Sequence, residues 1–276
     1  MCCPAMLVIP MPAIQLNRIR EQINKLTWLF TQPEAFQRGL QELLDFYADP
    51  ISRSGQTKRM VLIPAYRSPK LLLQQLELAL YPLIQENPTA AISLADTLWQ
   101  NEFLEPRQIA AYIIGQLPIE FTDETLKRIT TWCSPAIPAI LIEALLSKGT
   151  NRLRLESPQT LFKLASEWLS DTDAKAQILG LKLIHPLVQA PEFENLPEIF
   201  TLLRLPMKNL SPRNITETQD IIEALAKKSP NETAYFLRQS LSLGTTKDLL
   251  RLIRKSLPAF PPETQERLRQ AIKERE

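Results

Sequence analysis

Apolar residues recur at helical spacing along most of the chain, and the start of several apolar stretches is marked by a small polar residue before proline. Ser68-Pro69, Asn87-Pro88, Ser134-Pro135, Ser157-Pro158 and Ser229-Pro230 all have this form. It suits a helix start, because the polar side chain can cap the first free N–H groups and proline lacks an N–H that would be unpaired there anyway. Thr31 with Glu34 and Ser229 with Glu232 have the spacing of a capping box. After Ser229, residues Ala234, Phe236, Leu237 and Leu241 favour one face. After Thr245, residues Leu249, Leu250, Ile253 and Leu257 fall at i, i+1, i+4 and i+8. The pattern predicts helices over 12–30, 33–48, 69–86, 88–99, 105–117, 122–133, 135–148, 158–170, 172–189, 195–205, 215–228, 230–243, 245–257 and 262–274.

Most links between these helices are short, which forces neighbours antiparallel, and a long series of such hairpins stacks into a solenoid. The expected fold is therefore all-α: an α–α superhelix, a HEAT-like solenoid of antiparallel helix pairs, with paired starts roughly 35–45 residues apart. A compact irregular bundle is the competing architecture. Residues 12–276 are expected to form a single HEAT-like helical-repeat domain behind a disordered tail, 1–11. The longest irregular stretch, 49–68, is basic, and is either a surface loop with a short helix inside or a working element.

Composition strengthens the helical reading. There are 46 Leu against three Val (Val8, Val61 and Val188) in 276 residues, whereas pleated sheets favour β-branched side chains. Six Gly against 23 Pro describe a chain that stops and starts often without left-handed turns. Three cysteines (Cys2, Cys3 and Cys133) make no disulfide framework, so a reducing, cytoplasmic setting is expected. The apolar N-terminus lacks a basic lead and is broken by Pro4, Pro10 and Pro12, unlike a signal peptide. No later window approaches the ~20 apolar residues of a membrane helix.

Most enzyme chemistry lacks its residues. The only histidine, His185, sits before Pro186 at a helix end and reads as a surface or core side chain rather than a base. One His, with Cys2 and Cys3 adjacent rather than spaced, argues against zinc, and Cys133 reads as a small buried hydrophobe. The glycines (Gly39, Gly55, Gly115, Gly149, Gly180 and Gly244) are isolated, so no phosphate-binding glycine loop exists. No cofactor or metal is implied.

The net charge of +2 points to no particular partner, but two local clusters do. Residues 52 to 70 carry five positive charges (Arg53, Lys58, Arg59, Arg67 and Lys70) and no negative one, with Ser54, Gln56, Thr57 and Gly55 among them. Such donors suit phosphate contacts, although a solvated loop would have a similar composition. The second cluster is helical. Lys247, Arg251, Arg254 and Lys255 fall at i, i+4, i+7 and i+8, largely opposite the apolar residues. With Lys227, Lys228 and Arg238, residues 227 to 255 hold seven positive charges against Glu232 and Asp248, a plausible phosphate track or a plain amphipathic surface helix. Trp28, Trp99, Trp132 and Trp168 lie in or at the ends of apolar helical stretches and read as packing residues.

Three segments in this order resemble the helical-repeat DNA alkylation repair family, the AlkD-like DNA glycosylases. They are Ala95-Asp96-Thr97-Leu98-Trp99 through Glu105-Pro106-Arg107 to Ala111, then Trp168-Leu169-Ser170-Asp171 with the helix to Leu183, then Ala226-Lys227-Lys228-Ser229-Pro230 with the basic helix 247–255. The resemblance spans about residues 90 to 260 and implies HEAT-like repeats with DNA on a basic concave face. The family's cleft uses a Trp-Trp-Asp-x-x-Asp segment, an arginine on the next repeat and a later tryptophan. Here the matching segment is Trp132-Cys133-Ser134-Pro135-Ala136-Ile137, without either carboxylate; Gln177 stands for the arginine, with Lys175 nearby, and Asp220 lies near the later tryptophan. The resemblance therefore implies DNA binding without the glycosylase carboxylate. The alternatives are a protein-interaction scaffold with no nucleic-acid role, and an alkylpurine glycosylase with relocated catalytic residues.

Overall fold

A computed structural model describes residues 16–48, 63–134, 137–190 and 194–275, and among these the regular structure is helical throughout, with no strand. The chain divides into two compact units, one ending at Leu117 and one running from Pro118 to Glu276.

The first unit contains α1 (Leu16–Thr27), α2 (Pro33–Tyr47), α3 (Lys70–Glu86), α4 (Pro88–Trp99) and α5 (Leu104–Gly115). Besides sequence neighbours, α1 packs on α3, α3 on α5, and α2 on α4. That contact of each helix with the next but one is what a two-layered stack of hairpins produces. Side-chain ties give the direction. The Tyr112 hydroxyl donates to the Glu77 carbonyl at 2.9 Å, and the Gln85 amide to the Gln116 carbonyl at 2.7 Å. The two ties advance together along α3 and α5, so these same-layer helices run parallel, as members of successive antiparallel pairs must. Burial around that tie pushes the Tyr112 hydroxyl up to about 12. The core stripe of α3 is Leu72, Leu76, Leu80 and Ile84, all fully buried at four-residue spacing.

The second unit contains α6 (Thr122–Trp132), α7 (Ala139–Ser147), α8 (Asn151–Glu156), α9 (Pro158–Leu169), α10 (Ala174–Gln189), α11 (Leu196–Lys208), α12 (Ile215–Lys228), α13 (Pro230–Leu243), α14 (Lys247–Ser256) and α15 (Pro262–Lys273), with short 3-10 turns at Ile119–Phe121 and Leu257–Ala259. One layer is α9, α11, α13 and α15; the other is α10, α12 and α14. Lys182 pairs with Glu217 at 3.8 Å and Lys228 donates to the Ala190 carbonyl at 2.8 Å, so α10 and α12 also run parallel. The all-α class and the stacked helix pairs expected from the sequence are those of the structure.

The expected helices are present with shifted ends, and α8 is one the periodicity did not predict. Several caps also differ. Asn87 accepts from the Ala90 N–H at 3.1 Å, as expected. At Ser68-Pro69 the proline itself occupies the cap position and the buried Ser68 hydroxyl has no hydrogen-bond partner. The helix expected from 135 starts at Ala139 behind Pro138, and Pro135 lies outside the described residues. Gln32, not Thr31, stands at the start of α2. Ser157 turns to the Thr160 hydroxyl at 2.8 Å, and Ser229 to the Glu232 carboxylate, rather than to backbone N–H groups. The expected tail 1–11 also lies outside the described residues.

Candidate nucleic-acid interface

Helix α14 follows from its sequence. The Thr246 side chain accepts from the Leu249 N–H at 3.1 Å and so caps the first turn. Leu249, Leu252, Ile253 and Ser256 form the buried face, with Leu252 in place of the expected Leu250 and Leu257, which are half-buried. Lys247, Arg251, Arg254 and Lys255 are all exposed on the other side. Arg254 and Lys255 stand in the last turn, where the helix dipole favours positive charge.

Some cations of the same unit are paired with carboxylates. Arg128 pairs with Glu124 at 2.6 Å, Arg152 with Glu156 at 2.5 Å, Lys182 with Glu217, and Arg269 with Glu266 at 3.3 Å. Among the described residues, the side chains of Lys247, Arg251 and Lys255 have no ion pair or hydrogen bond. Of the flanking cations, Lys227 and Arg238 are exposed, while Lys228 is tied to the end of α10.

The first predicted cluster is seen only in part, since Arg53, Lys58 and Arg59 lie outside the described residues. Arg67 and Lys70 are exposed and belong to the first unit, whereas the basic face of α14 belongs to the second. Arg67 sits in a strap, residues 63–69, laid on the start of α5. The Glu105 carboxylate, only 4% exposed, accepts the N–H of Tyr66 at 3.0 Å and of Arg67 at 2.7 Å. The Leu104 N–H donates to the Pro64 carbonyl at 2.9 Å, and the Tyr66 ring stacks on Phe103 with centroids 4.3 Å apart. Arg67 has φ 56°, the only positive φ at a non-glycine among the described residues. That left-handed geometry costs roughly 1–2 kcal/mol for a residue with a Cβ. No residue-type signal marks the Glu105 clamp, because its partners are backbone groups distant in sequence.

The other singled-out residues fall as follows. His185, Gln189, Asp220, Glu223 and Lys227 line an open cleft of about 570 Å³ between the C-terminal ends of α10 and α12. The His185 Nε2 lies 3.2 Å from the Gln189 amide nitrogen. Gln177 donates to the Asp171 carbonyl at 2.8 Å, closing the turn before α10. Trp132 is buried at the end of α6. Cys133 is buried beside it, and burial pushes its thiol up to about 12, well above a reactive range. Trp28 contradicts the packing expectation, being 85% exposed just past the end of α1. Arg107 lies over the half-buried Trp99 ring at 5.7 Å.

No family model, curated protein or solved structure matches this chain. Among the described residues no group of three or more His, Cys, Asp or Glu side chains can hold a metal, and no helix is long and apolar enough to cross a membrane. The face of α14 presents a cluster of positive charge with one acid, Asp248, in its first turn. It can hold an anion electrostatically.

Proposed function

We propose that the chain is a HEAT-like repeat protein that binds the phosphate backbone of DNA through the basic face of α14, and that it lacks the excision chemistry of the repair family it resembles. The observation that carries this reading is the group of four exposed cations on one face of α14, three of them without an ion pair. A purely structural helix gains from pairing its charges with residues three or four positions away; α14 offers only Asp248, three residues before Arg251, and the two form no ion pair. Binding of this kind reads charge, not sequence. Duplex affinity measured by fluorescence anisotropy should fall with salt at about −0.9 per phosphate neutralised in log–log terms. Replacing Arg251 and Arg254 by Glu should weaken binding to all duplex sequences alike. Absence of binding at low salt, or salt-independent binding, overturns the proposal.

The scaffold reading is favoured by one feature, the outward face of α13. Tyr235 and Leu243 stand two turns apart there, 69% and 84% exposed, with the exposed Arg238 between them. Loss of a co-purifying protein on Tyr235→Ser with Leu243→Ser, with no duplex binding in either form, would favour it over the DNA reading.

A further inference from the structure

We infer that the outward surface of α11 and α13, within the second unit, docks an acidic amphipathic helix of a partner protein. This surface includes the face of α13 that favours the scaffold reading, and the inference stands whether or not α14 holds DNA. Helices α11 and α13 lie in one layer and run parallel, since short links make each antiparallel to α12. They meet at Phe200 and Phe236, whose ring centroids are 5.1 Å apart. Leu203, Pro206 and Met207 of α11, and Phe236, Leu237 and Leu241 of α13, supply the buried faces. Other side chains of the same C-terminal halves are left outside. On α13, Tyr235, Gln239 and Leu243 follow one another at one-turn intervals and are all exposed. On α11, Arg204 and Lys208 stand one and two turns past Phe200, exposed, with the exposed Leu205 beside them.

The charge of this surface has one sign. Residues 201–208 and 235–243 contain Arg204, Lys208 and Arg238 and no acid. Among the described residues the side chains of these three cations form no ion pair or hydrogen bond. The exposed acid one turn before Tyr235, Glu232, is held by the Ser229 hydroxyl. A helix dipole favours cations near a C-terminus, but it calls for no exposed apolar side chains among them. A nucleic-acid backbone would use the cations and leave Tyr235 and Leu243 uncovered. An acidic helix with an apolar stripe uses both. Tyr235 and Leu243 are about 12 Å apart along α13, so the partner's apolar anchors stand two turns apart. Arg204 and Lys208 lie to one side of that stripe, on α11. Arg238, two residues from Phe236, lies on the opposite side of α13, so acids on both flanks of the partner helix are matched.

The test screens the full chain against a displayed library of random peptides of about 16 residues, long enough for about four helical turns. Enriched sequences should carry Asp or Glu around two large apolar residues spaced two turns apart. A labelled enriched peptide should bind at least about tenfold more weakly to Y235S/L243S and to R204E/R238E than to the wild type. Its binding should weaken with salt, and R251E/R254E should bind it as the wild type does. Thermal melting of each variant is measured alongside. If Y235S/L243S melts lower than the wild type, L243S alone carries the apolar arm; if R204E/R238E does, R204Q/R238Q carries the charge arm. Enrichment of no sequence, or of sequences without acids, overturns the inference and leaves the DNA proposal untouched. A peptide that binds Y235S/L243S as tightly as the wild type, or loses affinity only in R251E/R254E, sits elsewhere and overturns it too. Duplex binding lost in R204E/R238E but kept in Y235S/L243S would make the surface a nucleic-acid contact and overturn the protein-docking inference.

Discussion

A Cβ placed on Gly180 would stand 2.9 Å from the Leu169 Cγ, closer than carbon atoms of packed side chains approach. Gly180 lies in the first half of α10 and Leu169 ends α9, so the glycine sits at a close contact of these two helices. The Ala165 carbonyl oxygen, a backbone group, is only 3.2 Å from the same point.

This relationship makes Gly180→Ala a test of the packing. In an exposed helix interior the change would stabilise by about 1 kcal/mol through helix propensity. Here the added methyl meets a buried leucine near its branch point and a carbonyl that cannot move without shifting α9. Overpacking of this kind costs typically 1–3 kcal/mol, so the net effect expected is destabilisation. Denaturant unfolding measures it, and a variant more stable than the wild type would show that α9 and α10 are less tightly apposed.

The proline-marked helix starts separate into two kinds that mutation should distinguish. Asn87→Ala removes the acceptor of the Ala90 N–H and should cost about 1 kcal/mol. Ser229→Ala removes no bond to the backbone and should cost less at neutral pH. It should instead alter the acid limb. The Ser229 hydroxyl, and secondarily the backbone N–H of Glu232 itself, hold the Glu232 carboxyl below its ordinary value of 4.5. A depressed carboxyl contributes stability that is present above the unfolded value and lost as pH falls through the folded one. The difference in melting temperature between wild type and Ser229→Ala should therefore narrow as pH drops below 4.5. A difference that is constant from neutral to acid pH would show that the hydroxyl does not act on Glu232.

The helices were legible because their signals are local: apolar spacing, and a proline in the first turn as at Pro33, Pro88, Pro158, Pro230 and Pro262. Helix α8 was not, since six residues carry too little periodicity. Within it Leu153 is buried, and the Arg154 guanidinium reaches the Thr150 hydroxyl at 2.9 Å and the Ser147 carbonyl. The end of α11 was read one residue before Pro206, yet the helix runs to Lys208 with Pro206 buried inside it. Packing there overrides the missing N–H. The basic face of α14 was legible for the same local reason. The Glu105 clamp and the exposure of Trp28 were not, because each depends on where distant backbone or the end of a helix lies.

The protein is expected not to excise alkylated purines. Excision of a cationic N-alkylpurine leaves positive charge developing on the sugar, and a preorganised carboxylate is the natural group to stabilise it. Around Trp132 the neighbouring residues Cys133 and Ser134 supply none, and Cys133 is buried with its thiol pushed up to about 12. The acids nearest in sequence serve poorly: Glu124 is taken up by Arg128 at 2.6 Å, and Asp123 and Glu143 are exposed. Gln177 holds the turn before α10 rather than facing a ligand. Asp220 is the one candidate replacement, since it lines the cleft with His185 and Glu223, but neither Trp132 nor Cys133 lines that cleft. The assay is incubation of the purified chain with DNA carrying N-alkylated purines and detection of free base. No release above the spontaneous rate is expected, and Asp220→Asn should leave duplex affinity near that of the wild type. Release by the wild type that disappears in Asp220→Asn would overturn this expectation and make the α10–α12 cleft an active site.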